Sequence, residues 1–129
     1  MSNKIVLDAS AFLALAQEEK GAEIIKPLLK FTVMSTVNIA ESLTALQRSN
    51  IEPDDAMNLI NDIISCIIPF DLDQAAEAAR LNQLVKHKGL SLGDRACIAV
   101  GIKLEIPIYT ADKAWAELNI DKANIKLIR

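Results

Sequence analysis

Short apolar runs rich in β-branched residues, separated by longer stretches of helical character, constrain this chain more than any other feature. Ile5-Val6-Leu7 reads as a strand buried on both faces, closed by Asp8. Phe31-Thr32-Val33-Met34-Ser35, Ile106-Pro107-Ile108-Tyr109 and Ile125 to Ile128 read as strands in the same way. Pro107 lies near the start of its strand, where a missing N–H matters least. The apolar run from Cys66 to Phe70 is a further candidate, so a sheet of four to five short strands is expected.

Between these runs the spacing predicts helices. The first covers about Ala11 to Glu18, with Ser10 as its cap, and the next about Ala22 to Leu29. Others cover Val37 to Arg48 and Asp54 to Ser65, the latter with Pro53 suited to its first turn. A long helix begins at Asp71 and fades at Lys86-His87-Lys88-Gly89, where basic residues and a glycine are stop signals. Ser91 opens another that runs to about Glu105, and a short one lies near Lys113 to Leu118. Strands alternating with helices imply a parallel α/β sheet covered on both faces, in one domain spanning residues 1–129.

Composition supports that reading and removes several functions. The chain is 51% hydrophobic but only 4% aromatic, so its core is built from Ile, Leu, Val and Ala. A net charge of −3 argues against a nonspecific nucleic-acid coat protein, which carries a basic surplus. It does not argue against a nuclease whose acids surround a metal ion. Cys66 and Cys97 sit in apolar company and His87 is the sole histidine, so a zinc site of the usual spacing is excluded. Two buried free thiols in a reducing cytosol are expected. Met1-Ser2-Asn3-Lys4 opens no signal peptide, and no run approaches the roughly 18 apolar residues of a membrane span. A soluble, cytoplasmic protein is the expectation.

Four acids stand where such a sheet binds ligands, or could be brought there. Parallel α/β sheets bind in the crevice beyond the carboxyl ends of their strands. Asp8 follows the first strand directly, and Asp112 comes three residues after Tyr109. Taken alone, each reads more readily as a loop or helix-cap acid than as a ligand. Asp94 opens a helix that is apolar all round from Ala96 to Ile102, where a charge is costly unless paired or metal-bound. Ser91-Leu92-Gly93-Asp94 is also a capping box, and the two roles are compatible. Glu41 falls with Asn38, Ala45 and Arg48 on the more polar arc of its helix. Periodicity gives it only the role of a solvated glutamate, paired with Arg48 or a lysine.

Other features have plain structural readings. Asp54, Asp55, Asp71 and Asp73 belong to first turns, and Asp71 with Gln74 forms another capping box. Lys86-His87-Lys88 suits a helix end, with phosphate binding as a lesser alternative. His87 has no nameable partner as a base. Trp115 reads as a core anchor rather than a base-stacking platform.

Convergent carboxylates without histidine suit Mg²⁺ or Mn²⁺, hard cations that prefer oxygen ligands and can activate water for phosphodiester hydrolysis. Ser10, Ser91 and Thr110 are hydroxyls able to orient such a site. No glycine-rich phosphate loop, nucleophile elbow or placeable Cys/His pair offers another chemistry. A receiver-like phospho-acceptor domain would want adjacent acids after the first strand, whereas Asp8 is followed by Ala9 and Ser10.

Four segments carry a resemblance. They are Val6-Leu7-Asp8-Ala9-Ser10-Ala11, Val37-Asn38-Ile39-Ala40-Glu41, Ser91-Leu92-Gly93-Asp94-Arg95-Ala96-Cys97 and Tyr109-Thr110-Ala111-Asp112-Lys113-Ala114-Trp115. In this order and spacing the chain resembles the PIN-domain nucleases, and among them the VapC-type toxins of toxin–antitoxin pairs. The resemblance implies that Asp8, Glu41, Asp94 and Asp112 form an acidic quartet, with Asp8 and Asp94 the firmest metal ligands. It implies that Ser10 and Thr110 support the site. It further implies Mg²⁺- or Mn²⁺-dependent cleavage of RNA and a homodimer. A cognate antitoxin would lay a peptide segment over the toxin near the acidic site. A catalytically silent RNA- or protein-binding module and a non-toxin RNA-processing nuclease stay open as alternatives.

Overall fold

The side chains of Ile5, Val6 and Leu7 are all buried, and these three residues form β1 at the centre of the sheet. A computed structural model describes residues 3–85 and 89–129. The expected helix end at Lys86-His87-Lys88, and with it His87, lies outside the described residues. The sheet has five parallel strands in the order β3-β2-β1-β4-β5, with β2 at Thr32–Ser35, β3 at Cys66–Ile68, β4 at Ile108–Thr110 and β5 at Ile125–Leu127. The chain builds outward from β1 through β2 to β3, then returns to β1's other side for β4. The strand order therefore reverses between β1 and β4, the switch point where open α/β sheets form a ligand crevice.

Alternation along the strands divides the core in two. Ile5, Leu7 and Met34 pack with Phe12, Leu15, Leu46 and Ile60 on one face. Val6, Val33 and Ile108 pack with Cys97, Ile98, Val100 and Trp115 on the other. Helices α1 (Ala9–Ala16), α3 (Thr36–Arg48) and α4 (Pro53–Ile63) serve the first face, while α5 (Leu72–Val85) and α6 (Leu92–Leu104) serve the second. Helix α6 has the burial its sequence predicts, with Gly93 and every residue from Ala96 to Gly101 buried. At Gly101 it approaches β4 so closely that a β-carbon would overlap the Ile108 side chain. No described helix is long and apolar enough to cross a membrane.

Several boundaries differ from expectation for local reasons. Helix α1 starts at Ala9, two residues early, because Asp8 and not Ser10 caps it: Asp8 Oδ1 accepts from the Ala11 N–H. The second helix, α2, stops after Ala22–Ile25 and gives way to a 3₁₀ turn over Lys26–Phe31. Pro27 has no N–H to continue the α-helical ladder, and its ring would crowd the preceding turn. Pro107 falls just before β4, where its carbonyl accepts from the Val6 N–H. Asp71 precedes α5 and accepts from the Gln74 N–H. Of the two free thiols, Cys97 is buried as expected, but Cys66 on edge strand β3 is only half-buried. Trp115 is fully packed, as expected of an anchor, in a 3₁₀ turn at Lys113–Glu117.

Candidate active site

Because β1 pairs directly with β4, Asp8 and Thr110 emerge side by side at the carboxyl ends of adjacent strands. The Asp8 carboxylate is 5% exposed and holds three hydrogen bonds. Its Oδ1 accepts from the Ala11 N–H at 2.8 Å and the Ser10 hydroxyl at 2.7 Å, and its Oδ2 accepts from the Thr110 hydroxyl at 2.6 Å. The network continues across the crevice. Ser10 Oγ accepts from the Ala111 N–H at 2.9 Å, and Thr110 Oγ1 accepts from the Asp112 N–H at 3.0 Å. Thr110 is itself fully buried. Ser10 and Thr110 thus orient Asp8 from both sides.

Burial pushes the Asp8 carboxyl above its ordinary range, against the opposing effect of its hydrogen bonds to Thr110, Ala11 and Ser10. The nearby charge of Asp94 raises it further.

Asp94 stands in the first turn of α6. Ser91 Oγ accepts from the Asp94 N–H, while Asp94 Oδ2 accepts from the Ser91 N–H at 3.1 Å, completing the capping box that the sequence predicts. Cys97, one turn further along α6, has its thiol pushed well up by burial, with Asp8, Asp94 and Glu41 each adding to the rise. These three acids therefore share one region around the start of α6.

Glu41 reaches that region by a route that periodicity does not reveal. Its Oε1 accepts from Asn38 Nδ2 at 2.9 Å, and its carboxylate lies flush against Gly93, where a β-carbon would overlap it. The helical wheel puts Asn38 on the polar arc with Glu41, but Asn38 is 1% exposed and also donates to the Gly93 carbonyl at 2.9 Å. Asn38 and Gly93 are the residues that sequence reasoning missed. The available signal was an amide one helical turn before Glu41 and a glycine immediately before Asp94.

Asp112 is the least engaged of the four. It is tied to the network through its backbone N–H, while its exposed carboxylate accepts from the Ala114 N–H and caps the 3₁₀ turn. Among the described residues, no three His, Cys, Asp or Glu side chains close around a single point. Asp8, Glu41 and Asp94 are gathered near the start of α6 without forming a finished cage. An all-oxygen donor set of this kind suits a hard cation that keeps several of its waters, which needs only one or two direct carboxylates. A cavity of about 490 Å³ lies elsewhere, between α5, the last turn of α6 and Lys122. Its charged lining includes the Glu77–Arg80 and Asp73–Lys103 pairs, and none of the four acids borders it.

The family model of the PIN domain matches residues 5–120. The chain belongs to the PIN domain family. Solved structures with the same fold include a DNA-bound VapBC from Salmonella typhimurium, at 14% identity and a TM-score of 0.74 over all of both chains. VapBC2 from Rickettsia felis, bound to a promoter DNA fragment, matches at 14% identity and 0.73, covering 95% of this chain and 97% of that one. VapBC-5 of Mycobacterium tuberculosis, from a family of toxin–antitoxin systems, matches at 23% and 0.62 over 96% of each chain. No curated protein matches the sequence. The PIN family match and these neighbours thus agree with the five-stranded parallel sheet and its switch point between β1 and β4.

Proposed function

We propose that this PIN domain is an endoribonuclease dependent on Mg²⁺ or Mn²⁺, and the toxin of a toxin–antitoxin pair. The observation that carries this reading is Asp8: a buried carboxylate, oriented by three donors and near enough to Asp94 to feel its charge. A carboxylate offers about four acceptor directions. The three hydrogen bonds take two on Oδ1 and one on Oδ2, leaving Oδ2 one acceptor direction for a cation. The bound cation would supply charge shielding for the phosphodiester and activation of water.

The chain's own residues would do the rest. Asp8 and Asp94 are the principal ligands, Glu41 completes the set from α3, and Asp112 contributes from the rim. Ser10 and Thr110 fix the Asp8 oxygens, and Ser91 fixes the Asp94 oxygen it donates to. An antitoxin segment presenting an arginine would neutralise the same charge and block the crevice. The relatives in toxin–antitoxin complexes support such a partner, and a homodimer is what the family resemblance implies.

A second reading, a silent binding module, draws on one specific observation: Asp8, Asp94 and Asp112 each accept from a backbone N–H at a helix or turn start. Caps alone would justify their presence. Purified protein incubated with total RNA and Mn²⁺, with EDTA as control, separates the two. We expect EDTA-sensitive cleavage, lost in Asp94→Asn. Mn²⁺ binding without cleavage of any RNA would favour the module.

A further inference from the structure

We infer that Asn38 is a positioning residue which, together with Gly93, clamps Glu41 to the start of α6 so that Glu41 and Asp94 act on a cation as one unit. The inference rests on the nuclease reading of the acidic crevice. Glu41 and Asp94 come from different helices, 53 positions apart in sequence, and no hydrogen bond joins their carboxylates directly. A glutamate on an exposed stretch of helix would otherwise sample many rotamers, and ordering it on cation uptake would weaken binding.

Two features remove that freedom. The Asn38 amide has two N–H donors, and both are committed, one to Glu41 Oε1 and one to the Gly93 carbonyl, each at 2.9 Å. This fixes which way the amide faces, because the flipped form would set its oxygen against a carboxylate and a carbonyl. The Glu41 carboxylate also rests on Gly93, and only a residue without a β-carbon leaves room for it there. The carboxylate is thus held by Asn38 and seated against the residue that immediately precedes Asp94.

Asn38 is an expensive choice for mere packing. It is 1% exposed, and its Oδ1 is buried with no hydrogen-bond partner among the described residues. An apolar side chain of similar size would fill the same space without an unsatisfied acceptor. A polar residue tolerated on these terms, with both donors aimed at the site, points to a role in holding the site.

The test is Mn²⁺ affinity measured by calorimetry on RNA-free protein, alongside thermal melting to verify folding. Asn38→Ala is expected to weaken Mn²⁺ about tenfold, the usual effect of losing a residue that orients a ligand. Gly93→Ala should act alike, because its β-carbon displaces the Glu41 carboxylate while Asn38 stays intact. That displacement moves only the end of a flexible side chain, so Gly93→Ala should fold and decides the matter even if Asn38→Ala does not. In cleavage assays the Mn²⁺ requirement should rise while KM for RNA holds. Asn38→Ala added to Glu41→Gln should weaken Mn²⁺ no further, since Asn38 acts through Glu41. Folded variants that bind Mn²⁺ within about twofold of a cleaving parent would overturn the clamp and leave the nuclease reading standing. A parent that neither binds Mn²⁺ nor cuts RNA would overturn the reading itself, and the clamp with it.

Discussion

Replacing Asp8 in two different ways separates its two roles. Asp8→Ala removes the α1 cap and strips the Thr110 hydroxyl of its acceptor. Loss of a cap costs about 1 kcal/mol, and leaving a fully buried hydroxyl unpaired costs about 1–3 kcal/mol. The Ser10 hydroxyl adds little, because it can turn toward Thr110 Oγ1 at 3.3 Å. Together these predict about 2–4 kcal/mol, or a Tm lower by roughly 10 °C for a domain of this size. Asp8→Asn keeps an oxygen for the Ala11 N–H and keeps the side chain's shape, but removes the buried charge. Its cost in the same assay should be close to zero.

The pH dependence has a definite sign. Burial raises the Asp8 pKa in the folded state, so the metal-free parent loses stability as pH rises from the ordinary carboxylate range through that raised value. Asp8→Asn has no such loss. In EDTA it should therefore gain on the parent as pH increases and then level off. Both variants should cut RNA at least a hundredfold more slowly, with Mn²⁺ raising the parent's Tm and leaving theirs unchanged. The reasoning is refuted if Asp8→Asn cuts as fast as the parent. In that case Asp8 is a cap and nothing more.

Three further outcomes follow from the same contacts. Thr110→Val removes the donor to Asp8 Oδ2 and the acceptor for the Asp112 N–H together, so cleavage should fall about tenfold in an assay at limiting Mn²⁺, with recovery at high Mn²⁺. Gly101→Ala improves helix propensity but forces a β-carbon against the packed Ile108 side chain, and a net loss of about 1–2 kcal/mol in urea unfolding is expected. A stabilised variant would mean the α6–β4 contact is slack. Cys97, buried beneath three acids with its thiol pushed well up, should resist a thiol reagent until the protein unfolds, while half-buried Cys66 reacts first.

How far the site was legible depends on which interaction places each acid. Asp8 and Asp112 were legible because the strand before each is short and apolar, and a parallel sheet sends both to one edge. Asp94 was legible because its helix has no polar face to present to water. The length of α2 was readable in principle from Pro27, whose lost N–H outweighs the apolar spacing that suggested a longer helix. Glu41 was not legible from pattern. A 3.6-residue period reports where a helix meets the bulk core, and Asn38 and Glu41 meet something narrower, one glycine on α6 that lies 52 residues beyond Glu41. Long-range polar contacts leave no periodic trace, so only the family motif pointed to this glutamate.

The cap roles of Asp8, Asp94 and Asp112 do not compete with a catalytic role; they explain how the fold keeps these acids in place before any cation binds. An N–H at a helix start prefers a carboxylate acceptor, and each cap fixes one oxygen while its partner oxygen stays directed elsewhere. The distinction between a plain cap and a ligand therefore cannot come from the capping bond. It comes from what surrounds the second oxygen. Asp71, by contrast, is an exposed cap of α5 that accepts from the Gln74 N–H. At Asp8 the second oxygen is buried, hydrogen-bonded by a fully buried threonine, and close enough to Asp94 to feel its charge. Such an arrangement lowers stability in the absence of a cation and gains from one. That asymmetry, rather than the presence of an acid after a strand, is why Asp8 is the centre of the proposed site.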